Sequence, residues 1–352
     1  MIPFLDLRES NAGLEHVFAR VVQESSYILG PNVEAFEDAW AKTCNAKYCV
    51  GVDNGLEALR IGLLAAGIGP GDEVLVPSHT YIATWLAVTH TGAHAVPVEP
   101  KRGRFVLDAE DFAPHIGKRT AAILPVHLYG EPCEMEGIRK LASSNGLLVL
   151  EDAAQSHGLP MMGDVACYSF YPTKNLGALG DAGGIVTNDE HIARKARLLR
   201  NYGARAKDVY SIRGYNARLD ELQAALLLAK LPRLAAANEL RATQAKVYNA
   251  SLRGLPGLLL PPEAFQYRVW HQYVVRHPQR DRLMLALKER GIGTRIHYPT
   301  PPHKQECYAG IYGEVSLPVA EQLAREVLSL PLGYDFDIMH VCEAVKDAVA
   351  SL

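Results

Sequence analysis

Apolar residues recur along the chain with two spacings. Helical spacing governs residues 14–23 and residues 32–43, where Val33, Phe36 and Trp40 share one face. Short and nearly all-apolar runs, 48–52, 74–76, 93–98, 121–128 and 147–150, alternate with such stretches, and a further strand is expected over 184–187. More helices are expected over Leu56, Leu59, Leu63 and Leu64, around Met135, Ile138 and Leu141, and over 191–202. Runs that are apolar on both faces and separated by helices predict an α/β fold with a mostly parallel sheet covered on both sides. Rows of leucine and alanine after residue 218 predict a long connecting helix, bent or interrupted at Pro232, whose ring removes a backbone hydrogen bond. From about Arg253 the pattern changes. A Gly/Pro-rich linker over 254–263, a strand over 270–276 and a helix over 283–290 predict a smaller α+β unit, so the chain divides into 1–235 and 236–352.

Composition narrows this further. With 352 residues, 48% of them hydrophobic, the chain can bury a sizeable core, and two domains are expected. A formal charge of -3 argues against nucleic acid or an anionic membrane as the main partner. The six cysteines are scattered, without a CxxC pair, and read as buried free thiols in a reducing compartment. The first residues, MIPFLDLRES, lack the basic-then-apolar order of a secretion signal, and no apolar run approaches the ~20 residues that span a bilayer. A soluble, cytoplasmic protein is expected.

Candidate chemistry gathers in a few stretches. In YSFYPTKNLGALGDAGG, residues 168–184, a strand-like run gives way to a glycine-rich turn that carries Ser169 and Lys174. Taken alone, Lys174 is a surface lysine; in a desolvated pocket it is an amine that can trap a carbonyl. In GLLVLEDAAQSHG, residues 146–158, Asp152 ends a buried strand. There it either caps the next segment or pairs with a cation such as a pyridinium nitrogen. Gly55 and Leu56 sit where a strand turns into a helix, either an ordinary connection or an anion site built from free N–H groups. Tyr81 stands at another strand-to-helix turn and reads as core packing or as a ring stacked on a planar ligand. HYPTPPH, with His297, Tyr298 and His303, has no carboxylate or cysteine at ligand spacing, so no metal is expected and a polar substrate wall is preferred.

Together these stretches resemble the DegT-type (StrS-like) sugar aminotransferases, which are pyridoxal-phosphate enzymes of fold-type I with the aspartate aminotransferase architecture. The resemblance runs nearly end to end, through GIGPGDEVLVPSHTYIAT, VLEDAAQSHG, SFYPTKNLGALGDAGG, GYNARLDELQAALL and RIHYP. It implies that Lys174 binds pyridoxal phosphate covalently and later moves the proton. It also implies that Asp152 pairs with the pyridine nitrogen, Gln155 with the phenolic oxygen, and Tyr81 stacks on the ring. Ser169 and the backbone at Gly55 and Leu56 would hold the phosphate; many relatives carry a hydroxyl residue at the position of Leu56. Asn216 would reach the phosphate of a neighbouring subunit, making a homodimer with shared sites. The form of residues 170–184 resembles the branch that acts on dTDP-linked 3-keto-6-deoxyhexoses with L-glutamate as donor and pyridoxamine phosphate as intermediate. Tyr171, His297 and Tyr298 are then the sugar wall. A C4 or C2 keto-sugar aminotransferase, a sugar dehydratase of the same fold and a non-catalytic cofactor-binding regulator are the alternatives. The dehydratases replace the lysine with histidine, which speaks against the second. One departure from the family is a short LPMMG loop between His157 and Asp164.

Overall fold

The computed structural model describes residues 1–262 and 268–352. Its centre is a seven-stranded sheet of β1 (Tyr48–Val52), β2 (Glu73–Pro77), β3 (His94–Val98), β4 (Thr120–Ile123), β5 (Leu148–Asp152), β6 (Val165–Ser169) and β7 (Gly183–Thr187). The order across the sheet is β1-β7-β6-β5-β4-β2-β3. Pairing is parallel from β3 through β6, and β7 runs antiparallel to both its neighbours, β1 and β6. This is the α/β, fold-type I arrangement expected from the sequence.

The alternation along β6 shows how the sheet is covered. Val165 and Cys167 join the core that holds Leu59 and Leu63 of the helix Gly55–Ala65. Ala166 and Tyr168 point the other way, toward Phe36 and Trp40 of the helix Pro31–Thr43 and Leu227 of the helix Glu221–Lys230. Successive strand residues face opposite sides, so a run apolar throughout requires helices on both.

The long connecting helix is indeed interrupted. Glu221–Lys230 passes through a tight turn, Leu231–Arg233, into Leu234–Leu252. A separate core then assembles from Tyr248, Leu283, Leu287 and Val345 around a two-stranded antiparallel sheet, Tyr273–Arg276 with Val327–Leu330. The N-terminus is woven into this part, because Ile2 bridges to Ile292.

Several expected boundaries move. The strand expected over 121–128 ends at Ile123. Pro125 has no N–H for a ladder, and the chain turns at Leu128–Gly130 with Tyr129 at φ 60. The strand expected over 270–276 starts only at Tyr273, since Trp270 bends the backbone to φ 45. A small hairpin, Ala204–Ala206 with Val209–Tyr210, lies in a polar stretch that carried no strand signal. Within the expected linker Leu259 bridges to Arg276, while its last residue, Glu263, lies outside the described residues. All six cysteines are free; five are buried and Cys307 is exposed. No helix among the described residues is long and apolar enough to cross a membrane.

Candidate active site

The site forms at one edge of the sheet, where β1, β2, β5 and β6 end and β7 begins, the place where open α/β sheets bind ligands. Gly183 pairs with both Val52 and Ser169, so the start of β7 clamps the ends of β1 and β6 together. A Cβ on Gly183 would lie 2.2 Å from the Asn54 carbonyl oxygen, and one on Gly55 would lie 2.6 Å from the Ser169 Cβ. The close approach of the two strand ends therefore requires glycine at both positions. Asn54 caps the helix Gly55–Ala65 by accepting from the Glu57 N–H at 2.9 Å. The N–H groups of Gly55 and Leu56 belong to the first helical turn, which has no intrahelical acceptor for them.

Lys174 follows β6 in a turn closed by its own N–H to the Tyr171 carbonyl at 2.8 Å. Its side chain is half-buried, and burial pulls its pKa down from 10.5 to about 8, with Asp152 opposing the shift. Around it stand three imidazoles, the buried His157 and His271 and the half-buried His297. Desolvation, reinforced by the lysine's charge, keeps each of them neutral, His157 down to about 3 and His297 down to about 4. His157 donates Nε2–H to the Ser169 carbonyl at 2.8 Å, and His271 donates Nδ1–H to the Asn175 Oδ1 at 3.0 Å. The lysine thus faces one carboxylate and no competing cation among these neighbours.

Asp152 is buried at the end of β5. Burial raises its pKa, while donors from Thr84 at 2.8 Å and the Ala154 N–H at 3.2 Å work against that rise. Gln155 accepts from the Tyr129 N–H at 2.5 Å and donates to the Tyr298 hydroxyl at 3.0 Å. The tyrosine ring of Tyr81 is 55% exposed, so it is not core; its centroid lies 5.2 Å from that of Tyr298. Tyr171 and His297 line a common cavity of about 480 Å³ with Thr173, Arg241, His271 and Arg295.

HYPTPPH closes a tight turn at Pro302–Lys304, and His303 meets the Glu321 carboxylate, 18 positions along the chain, at 3.1 Å. No group of three metal-ligating side chains occurs among the described residues. Asn216 is exposed and bridged through its backbone to Asn201.

A profile of the DegT/DnrJ/EryC1/StrS aminotransferase family matches residues 10–346. The chain belongs to this family. The dTDP-3-amino-3,4,6-trideoxy-alpha-D-glucose transaminase of Streptomyces venezuelae is 47% identical over 362 residues, which span 98% of this chain and 96% of that protein. Among solved structures, S. venezuelae DesV in complex with a ketimine intermediate matches with a TM-score of 0.96 at 46% identity, covering 99% of this chain and 98% of that one. NtdA of Bacillus subtilis with bound cofactor PMP matches with a TM-score of 0.93 at 30% identity, covering 99% and 85%.

Within this DegT/DnrJ/EryC1/StrS member, sequence reading missed several residues that shape the site. Thr84, His79, Tyr129, His271, Arg241 and Arg295 come from separate segments. The one local signal was SHTYIAT, a polar cluster directly after a buried strand.

Proposed function

We propose that this protein is a pyridoxal-phosphate-dependent aminotransferase that moves the amino group of L-glutamate to C3 of a dTDP-linked 3-keto-6-deoxyhexose. The products are 2-oxoglutarate and a 3-amino-3,6-dideoxyhexose. The observation that carries this reading is Lys174, a half-buried amine with its pKa drawn to about 8, facing Asp152 across the ends of adjacent strands. Membership of the aminotransferase family and the 3-amino-sugar name of the Streptomyces venezuelae relative support the reaction class and the carbon.

The donor set fits a flat ring bearing a phosphate, a phenolic oxygen and a protonatable nitrogen. Glycine at 55 lets its backbone lie against Ser169, since a Cβ there would stand 2.6 Å from the Ser169 Cβ and 3.1 Å from its hydroxyl oxygen, so the helix N-terminus and that hydroxyl share one corner. The N–H groups of Gly55 and Leu56, at the positive end of their helix, would hold the phosphate together with that hydroxyl. Asp152 would pair with the ring nitrogen, Gln155 would donate to the phenolic oxygen, and the exposed Tyr81 ring would cover the face. Bound pyridoxal phosphate supplies a carbonyl for an amine and a conjugated ring that takes up the electron pair left at a deprotonated carbon. Lys174 Nζ accepts the α-proton of glutamate in one half-reaction and returns a proton to sugar C3 in the other, so a single base serves both. Tyr171, His297 and Tyr298 would wall the sugar, with the neutral His297 offering a hydrogen bond rather than a charge.

The reading includes a homodimer in which Asn216 of the partner subunit completes the phosphate site. Support comes from the exposure of Asn216 and from Tyr215 beside it, whose ring lies 3.7 Å from the Arg60 guanidinium on the helix that starts at Gly55. The larger unit, 1–235, would carry the cofactor, and the smaller, 236–352, would contribute His297 and Tyr298.

The deciding experiment incubates purified protein, glutamate and a panel of nucleotide keto-sugars, with products read by mass spectrometry and NMR. Amination at C3 of a dTDP-linked sugar with stoichiometric 2-oxoglutarate is expected. Amination at C4, or loss of oxygen without glutamate consumption, would overturn it. Borohydride should fix the cofactor to the peptide containing Lys174, and Lys174→Ala should abolish that adduct.

A further inference from the structure

The carboxylate of Asp152 is not held by the sheet alone. Its Oδ2 accepts from the Thr84 hydroxyl at 2.8 Å, and the Thr84 hydroxyl lies 2.8 Å from that of Thr80. All three residues are buried. Thr84 sits in the first turn of the helix Ile82–His90, with Tyr81 as its N-cap, so the positive end of that helix also faces the carboxylate. Among the described residues the remaining oxygen, Oδ1, accepts from the Ala154 N–H alone, at 3.2 Å, and so keeps capacity for another donor.

Proton counting fixes the direction of this chain. An ionised carboxylate has no hydrogen to give, so Thr84 must donate to Asp152. A hydroxyl has one hydrogen, so the contact between the two threonines is then donated by Thr80. The order is Thr80 to Thr84 to Asp152. If Asp152 instead held a proton, Thr84 could be an acceptor and the chain would lose its sense.

We propose that Thr84, backed by Thr80, is a positioning residue that keeps Asp152 ionised and turned toward the cofactor nitrogen. This rests on the reading of Asp152 as the partner of that nitrogen. The competing influences are unequal. Burial raises the pKa of Asp152, Thr84 is the foremost group lowering it, and the Ala154 N–H, Lys174 and His127 follow. Cys167, opposite Asp152 in the β5 to β6 register, and Tyr298 also face it, and both are neutral at pH 7 because burial raises their pKa values. Thr80 directly precedes Tyr81 in the chain. The same hydroxyl chain therefore also restrains the residue read as stacking on the ring.

The test uses the holoenzyme and compares Thr84→Val, Thr84→Ser, Thr80→Val and Asp152→Asn. Three readouts are taken: the pyridoxal phosphate dissociation constant by equilibrium dialysis, the pH dependence of the bound cofactor's absorbance, and the melting temperature of the cofactor-free protein. Thr84→Val is expected to weaken cofactor binding on the order of tenfold, the loss of one hydrogen bond to a charge. It should also move the spectral midpoint, with Thr84→Ser restoring both and Thr80→Val giving a smaller change in the same direction. Cofactor affinity and spectral midpoint unchanged in Thr84→Val, while Asp152→Asn loses both, would overturn the hydroxyl chain and leave the Asp152 reading standing. Wild-type affinity and spectrum in Asp152→Asn would overturn both. A drop in cofactor-free melting temperature in Thr84→Val with no change in midpoint would assign the threonine to packing and overturn the proposal.

Discussion

At the scale of single residues, the buried charge of Lys174 makes a sharp stability statement. Its pKa in the folded chain, about 8, lies below the ordinary 10.5, so the unfolded chain binds that proton more tightly. The penalty on the folded state is complete below pH 8 and fades as the pH rises to 10.5. Lys174→Met should therefore stabilise the cofactor-free protein at pH 7 by about 1–3 kcal/mol and abolish the gain in stability between pH 8 and 10.5. Urea unfolding at several pH values measures both. Gly55→Ala should act the other way, because the new methyl meets the Ser169 Cβ at 2.6 Å. A cost of about 1–3 kcal/mol in thermal melts and weaker cofactor binding are expected. Asp152 and Lys174 could be singled out in the sequence, Asp152 because it ends a strand-like run and Lys174 because the resemblance of five ordered motifs sets it apart from an ordinary surface lysine. Thr84 was not, since a threonine two positions into a helix looks like any other, and only the fold brings it to a carboxylate 68 positions away.

At the scale of elements, the strongest local anchor is Glu221. Its carboxylate is fully buried and accepts from the backbone N–H groups of Gly30, Asn32 and Val33 at 2.8, 2.9 and 2.8 Å, and from the Asn32 side chain at 2.9 Å. One helix thereby caps the N-terminus of another, Pro31–Thr43, where negative charge is favoured. Glu221→Gln turns an amide toward donors and should cost about 2–4 kcal/mol in urea unfolding, with the folded spectrum retained. Sequence reading found β1 and β3 because their apolar runs are bounded by turns. It overran β4, which ends at Ile123; beyond Pro125 only an isolated bridge, Val126 to Asp152, remains among the described residues. It missed the hairpin at 204–210 and the strand Val327–Leu330. The first is polar and exposed, and the second lies between two helices and pairs with Tyr273–Arg276, far upstream in the chain.

At the scale of the whole molecule, the proposed dimer has a direct consequence. If Lys174 and Asn216 serve different sites of the pair, mixing Lys174→Ala with Asn216→Ala protein, after a brief unfolding and refolding, should restore about a quarter of the wild-type activity. Failure to recover any activity, with subunit exchange verified by mass spectrometry, would place both residues in one subunit's site, and an Asn216→Ala protein as active as the wild type before mixing would remove Asn216 from it. A mostly parallel sheet covered on both faces could be anticipated from pattern, but not the order of its strands. The joining of the smaller part to it could not, because it runs through side chains far apart in the chain: the Tyr129 hydroxyl donates to the His297 carbonyl and meets His79 Nε2 at 3.0 Å, while Gln155 spans from the Tyr129 N–H to the Tyr298 hydroxyl. Gln155 has two amide hydrogens, and Tyr298 takes one. In the proposed reading the other serves the cofactor, so one side chain belongs to two binding equilibria. Linkage then makes their coupling mutual: whatever factor the cofactor contributes to sugar affinity by steadying Tyr298, the sugar returns to cofactor affinity.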